Sequence, residues 1–204
     1  TIRFSDLSLL PDRAISADGP VSRAFLELGI AELRDAARRV RDMPYGKDAD
    51  SDDVLTLLRE GQGTCVAKHD LVAELARENA VPVFRFEGVY WLDDDIVPGV
   101  SEVLARYGLR VIPRAHCFLE CCGRFFDLTE GNCTGKSRTI TEYLRIGEVG
   151  VGERDTVLRC FLDDWRLVDD SLKLVGDREV FRILDECAEH NFGLCMRTRS
   201  PTSP

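Results

Sequence analysis

Three residues of this chain, Cys65, His116 and Asp127, have the types and order that nucleophilic acyl chemistry requires. A thiol attacks a carbonyl as its thiolate, so it needs a base to take its proton and a carboxylate to orient that base. The stretch "GQGTCVAKHDLVAEL" sets Cys65 at the start of a predicted helix. Gly63 permits close approach there and Thr64 is a good N-cap. The unpaired N–H groups and dipole of the first turn favour a thiolate and can hold an oxyanion. The backbone N–H of Cys65 is the first oxyanion donor. Gln62 is a candidate for the second, with a turn-stabilising glutamine as the alternative.

His116 opens "HCFLEC" and Asp127 lies in "RFFDLT". If Cys122 and Gly123 form a two-residue turn, Phe118 stands opposite Asp127 and His116 opposite Thr129. His116 and Asp127 then share one face as diagonal neighbours roughly 7 Å apart at Cα. An odd-numbered loop would send Asp127 to the other face. His69, one turn after Cys65, is the rival base, but no carboxylate near it in sequence orients it. The bland alternatives are a Cys65 that only packs, an edge His116 with a surface partner, and an Asp127 that only ends a strand.

The elements that must position these groups run as helices, then strands, then helices. Helical periods cover Ala24 to Arg41, Asp52 to Glu60 and Cys65 to Glu78. On a wheel of the third, Leu71, Leu75, Val72, Cys65, Ala76, Ala73 and Val66 face inward, and Asp70, Glu74, Arg77 and Glu78 face out. Strands are predicted over Val81 to Leu92, His116 to Cys121 and Arg124 to Thr129. Short or late helices are predicted over Gly99 to Gly108, Thr156 to Val168 and Arg178 to His190. No repeat or linker divides the chain, which reads as one domain over residues 1–196 with a polar, disordered tail over 197–204.

Composition narrows the classes. The 204 residues are 44% hydrophobic, enough for a real core, and 36 acidic against 27 basic residues give a net charge of -9. That balance opposes nucleic-acid binding and favours, if any charge, a cationic or amine-bearing ligand. No apolar run approaches the roughly 20 residues of a membrane span, and the first residues lack a signal peptide's pattern, so a cytoplasmic protein is expected. The eight cysteines lie largely within helix-like or strand-like patterns and read as reduced thiols.

No metal and no cofactor is expected. Cys117, Cys121 and Cys122 have no matching second cluster, and Cys117 and Cys121 fall on the strand face opposite His116, where packing explains them. Cys187, His190 and Cys195 offer three zinc ligands without a fourth. "EGNCTGKS" is one residue short of a phosphate loop and has no following helix, and the three aspartates of "WLDDDIVPG" read as a solvated turn.

A glycine-flanked "GTC" opening an inward-facing helix, then a His opening a strand, then an Asp ending the next strand, resembles the transglutaminase-like superfamily of the papain-like cysteine fold. The resemblance covers about Asp52 to Thr129. It implies an α+β fold with a central nucleophile helix on an antiparallel sheet, extended by N- and C-terminal helices. It also implies a thiol hydrolase or acyltransferase with Cys65 as nucleophile, His116 as base and Asp127 as orienting carboxylate. The substrate would be a peptide, protein or small-molecule amide or ester. "GQGTCVAKH" lacks the Trp of animal transglutaminases, and "EGQGTC" only partly matches the "RGG-x-C" of arylamine N-acetyltransferases. A noncatalytic binding module on the same fold is the competing expectation.

Overall fold

The computed structural model describes residues 1–16, 19–47, 53–132, 134–168 and 176–198. Asp52, Cys133, the side chain of Cys195 and the tail from 199 lie outside the described residues. The chain is mixed α+β. Its helices are α1 (Pro20–Glu27), α2 (Leu33–Asp42), α3 (Thr56–Glu60), α4 (Cys65–Glu78), α5 (Val100–Ala105), α6 (Thr156–Val168) and α7 (Asp177–Thr198). Its strands are β1 (Phe84–Leu92), β2 (Ile112–Cys121), β3 (Arg124–Phe126) and β4 (Arg145–Glu148), in one antiparallel sheet of order β3-β2-β1-β4. Among the described residues no helix is long and apolar enough to cross a membrane.

The predicted helix from Ala24 to Arg41 is two helices. Gly29, at φ 76°, takes the left-handed position after α1, and the Ile30 and Gly29 N–H groups donate back to the Phe25 and Leu26 carbonyls. That closing motif ends α1 inside an apolar pattern that a periodicity count reads as continuous. The strand β4, paired with β1 over Phe86 to Val89, is not foreseen by periodicity. Its four residues are too few to show alternation.

The same closing motif ends α4, with the Val81 N–H on the Ala76 carbonyl and the Ala80 N–H on that of Arg77. Here the left-handed residue is Ala80, at φ 53° and exposed. A β-carbon is disfavoured there, so Ala80→Gly is expected to raise unfolding stability by about 1 kcal/mol, read as a shift in the urea midpoint at constant slope.

Two apolar cores hold the molecule. In one, Leu71, Val72 and Leu75 of α4 meet Phe25, Leu33 and Val40 of α1 and α2, together with Leu119, Cys121 and Phe126 of the sheet. In the other, Val89, Leu92 and Ile112 meet α5, α6 and α7. Phe4, Phe86, Phe118 and Phe125 form an aromatic cluster of mostly edge-to-face contacts, which places the even-numbered residues of β1 and β2 on a common face.

Candidate active site

The loop before α4 is built to deliver Cys65. Gly61, at φ 68°, closes α3. A β-carbon at Gly63 would stand 2.7 Å from the Leu57 side chain and 3.1 Å from the Ala67 Cβ, so any larger residue would have to displace them. Thr64 caps α4 by accepting from the Ala67 N–H at 3.4 Å. Gly63 also pairs with the segment at 44–46, which brings Tyr45 beside Cys65.

On the sheet, Cys121 pairs with Arg124 and leaves Cys122 and Gly123 as a two-residue turn. Both have positive φ, 53° and 76°, as a type I′ hairpin turn requires. This register puts His116 beside the exit of β3. Its Nε2 stands 2.8 Å from Asp127 Oδ2, with both side chains buried. Thr129 donates to the other carboxylate oxygen through its N–H at 2.8 Å and its hydroxyl at 2.7 Å. Opposite His116 on β1 is Gly88, and a β-carbon there would lie 2.4 Å from the Tyr143 ring.

The Cys65 thiol, half-buried, lies within hydrogen-bonding reach of both Cys117 and the His116 ring. Its pKa is lowered well below an ordinary thiol's, first by the Cys117 thiol donating to it and then, against burial, by His116 and Lys136. Cys117 correspondingly stays protonated, held far up by that same bond and by burial. Burial pulls the His116 pKa down and Lys136 adds to that, but Asp127 and Cys65 reverse both and leave it raised. Burial would raise Asp127, yet His116, with its hydrogen bond, and His69 hold it far below the usual carboxylate range. The geometry therefore favours a thiolate facing an imidazolium that is anchored on a carboxylate.

His69 is fully buried with both ring nitrogens engaged. Nδ1 donates to the Cys65 carbonyl at 2.6 Å, and Nε2 accepts from the Leu128 N–H at 2.9 Å. Burial lowers its pKa to about 4, so it stays neutral, and neither nitrogen is left for a substrate. The amide of Gln62 donates to the Lys47 carbonyl at 3.0 Å, the turn-stabilising arrangement that competed with its oxyanion role.

Several residues at the site escape a reading from periodicity. Cys117, expected only to pack on the face away from His116, is within hydrogen-bonding reach of Cys65. Lys136, in the stretch set aside as a poor phosphate loop, directs its Nζ at His116 Nδ1 from 3.2 Å. Asp70, assigned to the outer face of α4, is buried and paired with the buried Arg85 of β1, Nε to Oδ1 at 3.0 Å. Arg85 also donates to the Gly150 and Glu153 carbonyls and, at 3.3 Å, to the Cys117 sulfur. A chain of contacts thus runs from Asp70 through Arg85 and Cys117 to Cys65.

Lys68 is likewise buried on α4, donating to the Arg41 and Met43 carbonyls and to Asn132 Oδ1 at 2.5–2.9 Å. No carboxylate touches it, and burial brings its pKa down from 10.5 to about 8. Between these values the unfolded chain binds the extra proton, so folding stability rises with pH from about 8 to 10.5. Relative to Lys68→Met, the wild-type protein is expected to gain roughly 2–3 kcal/mol across that window, measured by urea unfolding at each pH.

Six described cysteines, at 65, 117, 121, 122, 160 and 187, are free thiols, and among the described residues no cluster of His, Cys, Asp or Glu could hold a metal ion. In the "WLDDDIVPG" turn, Asp93 accepts from the Ile96 N–H and Asp94 from the Ser101 N–H and hydroxyl, so those carboxylates cap backbone. Comparison of the chain with family models, with curated proteins and with solved structures finds no match in any of the three.

Proposed function

We propose that this chain is a thiol hydrolase or acyltransferase of the transglutaminase-like kind, acting on an amide or ester of a peptide, a protein or a small molecule. The observation that carries the reading is the buried 2.8 Å pair of His116 and Asp127 set against a thiol whose pKa is depressed. The Cys65 thiolate attacks the carbonyl carbon, and the Cys65 N–H, at the first turn of α4, holds the resulting oxyanion. Imidazolium His116 then protonates the departing amine or alcohol, leaving a thioester on Cys65. Water or an amine attacks the thioester, His116 accepts the incoming proton, and the thiolate is expelled as the acid or new amide is released. Asp127 keeps Nε2–H engaged so that Nδ1 faces the sulfur throughout. The papain-like description of the fold belongs to this same proposal and rests on the helix-to-sheet order of the three residues.

A second reading, a noncatalytic binding module, is favoured by one feature: the Tyr45 phenol stands against both the thiol and the backbone N–H of Cys65. A panel of chromogenic esters and fluorogenic amides separates the two. Turnover of any member that is lost in Cys65→Ala supports the enzyme, whereas equal rates for the two proteins reject it.

A further inference from the structure

Arg114 lies on β2 two residues before His116, opposite Tyr90. Of the other cations around the site, Arg85 is matched by Asp70 and two carbonyls and Lys68 by two carbonyls and an amide, while Lys136 stands 3.2 Å from His116 Nδ1 and Lys47 is exposed at the cavity. Arg114 is half-buried, yet its guanidinium has no hydrogen bond or ion pair among the described residues. Together with Cys65, Thr64 and Tyr45 it lines a cavity of about 370 Å³, closed on the far side by Phe181 and Leu184 of α7.

A partly desolvated guanidinium costs free energy until an anion meets it, and its planar fork suits a carboxylate best. Apolar walls strengthen that attraction by lowering the local dielectric. The acidic groups that share the cavity, Asp155, Asp185 and Glu189, include two on α7, across from the sheet. They repel an anion extending that way and confine it to the Cys65 side. The overall charge of -9 points toward cationic ligands, but an unmatched cation in the cavity outweighs a diffuse field screened by salt.

We propose that the acyl group handled at Cys65 carries an anion, a carboxylate or its equivalent, close to the reacting carbonyl, and that Arg114 is the residue that binds it. This rests on the thiol chemistry proposed for Cys65 and adds its substrate class.

Iodoacetate and iodoacetamide test it, because they share a reacting carbon and a leaving group and differ in carrying a carboxylate or a neutral amide. Second-order rates at Cys65 are read by peptide mass spectrometry at pH 6.5, with the exposed Cys122 as an internal reference. The iodoacetate-to-iodoacetamide ratio at Cys65 is expected to exceed that at Cys122 by about tenfold or more. Because His116 and Lys136 also attract anions, the ratio must further fall about tenfold in Arg114→Met and take an intermediate value in Arg114→Lys. If Arg114→Met fails to fold, Arg114→Gln replaces it. A ratio unchanged by these variants, or equal to that of Cys122, overturns the assignment of an anion while leaving a reactive Cys65 in place. A Cys65 slow toward both reagents overturns the thiol chemistry and the substrate class together.

Discussion

His116→Ala is expected to slow modification of Cys65 by iodoacetamide at pH 6 by roughly 30- to 100-fold. In the wild-type protein the lowered pKa raises the thiolate fraction of Cys65, so it should react ahead of the exposed Cys122 and Cys160. Without the imidazole, the largest remaining support is the Cys117 bond, opposed by burial, and the thiol moves back toward the ordinary value near 8.5. Part of the lost thiolate is offset by its greater intrinsic nucleophilicity, which bounds the effect. At pH 9.5 the two proteins should react within a few-fold of each other, because both are then thiolates. Asp127→Asn should show a smaller loss in the same direction. An equal rate for wild type and His116→Ala at pH 6 would rule out His116 as the partner of Cys65.

Arg85→Met is expected to cost about 3–5 kcal/mol of folding stability, the usual consequence of leaving a buried carboxylate without its cation. Asp70 and Arg85 are 3% and 1% exposed, so water cannot replace the missing charge. The variant also frees the Gly150 and Glu153 carbonyls and removes the donor to Cys117. Burial already raises the Asp70 pKa, and losing Arg85, which lowers it, should raise it further, so the penalty should shrink as the pH falls. Urea unfolding checks the magnitude, and Asp70→Asn combined with Arg85→Met should recover part of the loss. A cost below 1 kcal/mol would mean that the pair contributes little to holding α4 on the sheet.

The parts of this site that are local in sequence are legible from neighbouring residues alone. The helix from Cys65 to Glu78 has the predicted bounds, because a threonine cap and an apolar face mark it in adjacent residues. The two-residue turn at Cys122 and Gly123 fixes the register, and from the register the pairing of His116 with Asp127 follows by counting. What escapes is whatever depends on partners far along the chain. A wheel puts Asp70 in water because it is charged, and nothing within one helix turn reveals that its partner is Arg85, on a neighbouring strand. Lys68 is buried for a similar reason, since its carbonyl partners come from the end of α2 and its amide partner from Asn132. Lys136 and Arg114 become notable only once the sheet stands beside α4.

His69 has a consequence for motion. Its ring joins the Cys65 carbonyl to the amide of Leu128, the residue after Asp127, so helix start and strand exit are linked through one rigid imidazole as well as through apolar contact. Separating sulfur from carboxylate would require breaking the buried hydrogen bond from the Leu128 N–H to His69, the one that crosses from helix to strand exit. The Cys65 to Asp127 side of the site therefore behaves as a fixed anvil. Any breathing that admits a substrate falls to the opposite wall of the cavity, the Phe181 and Leu184 side of α7.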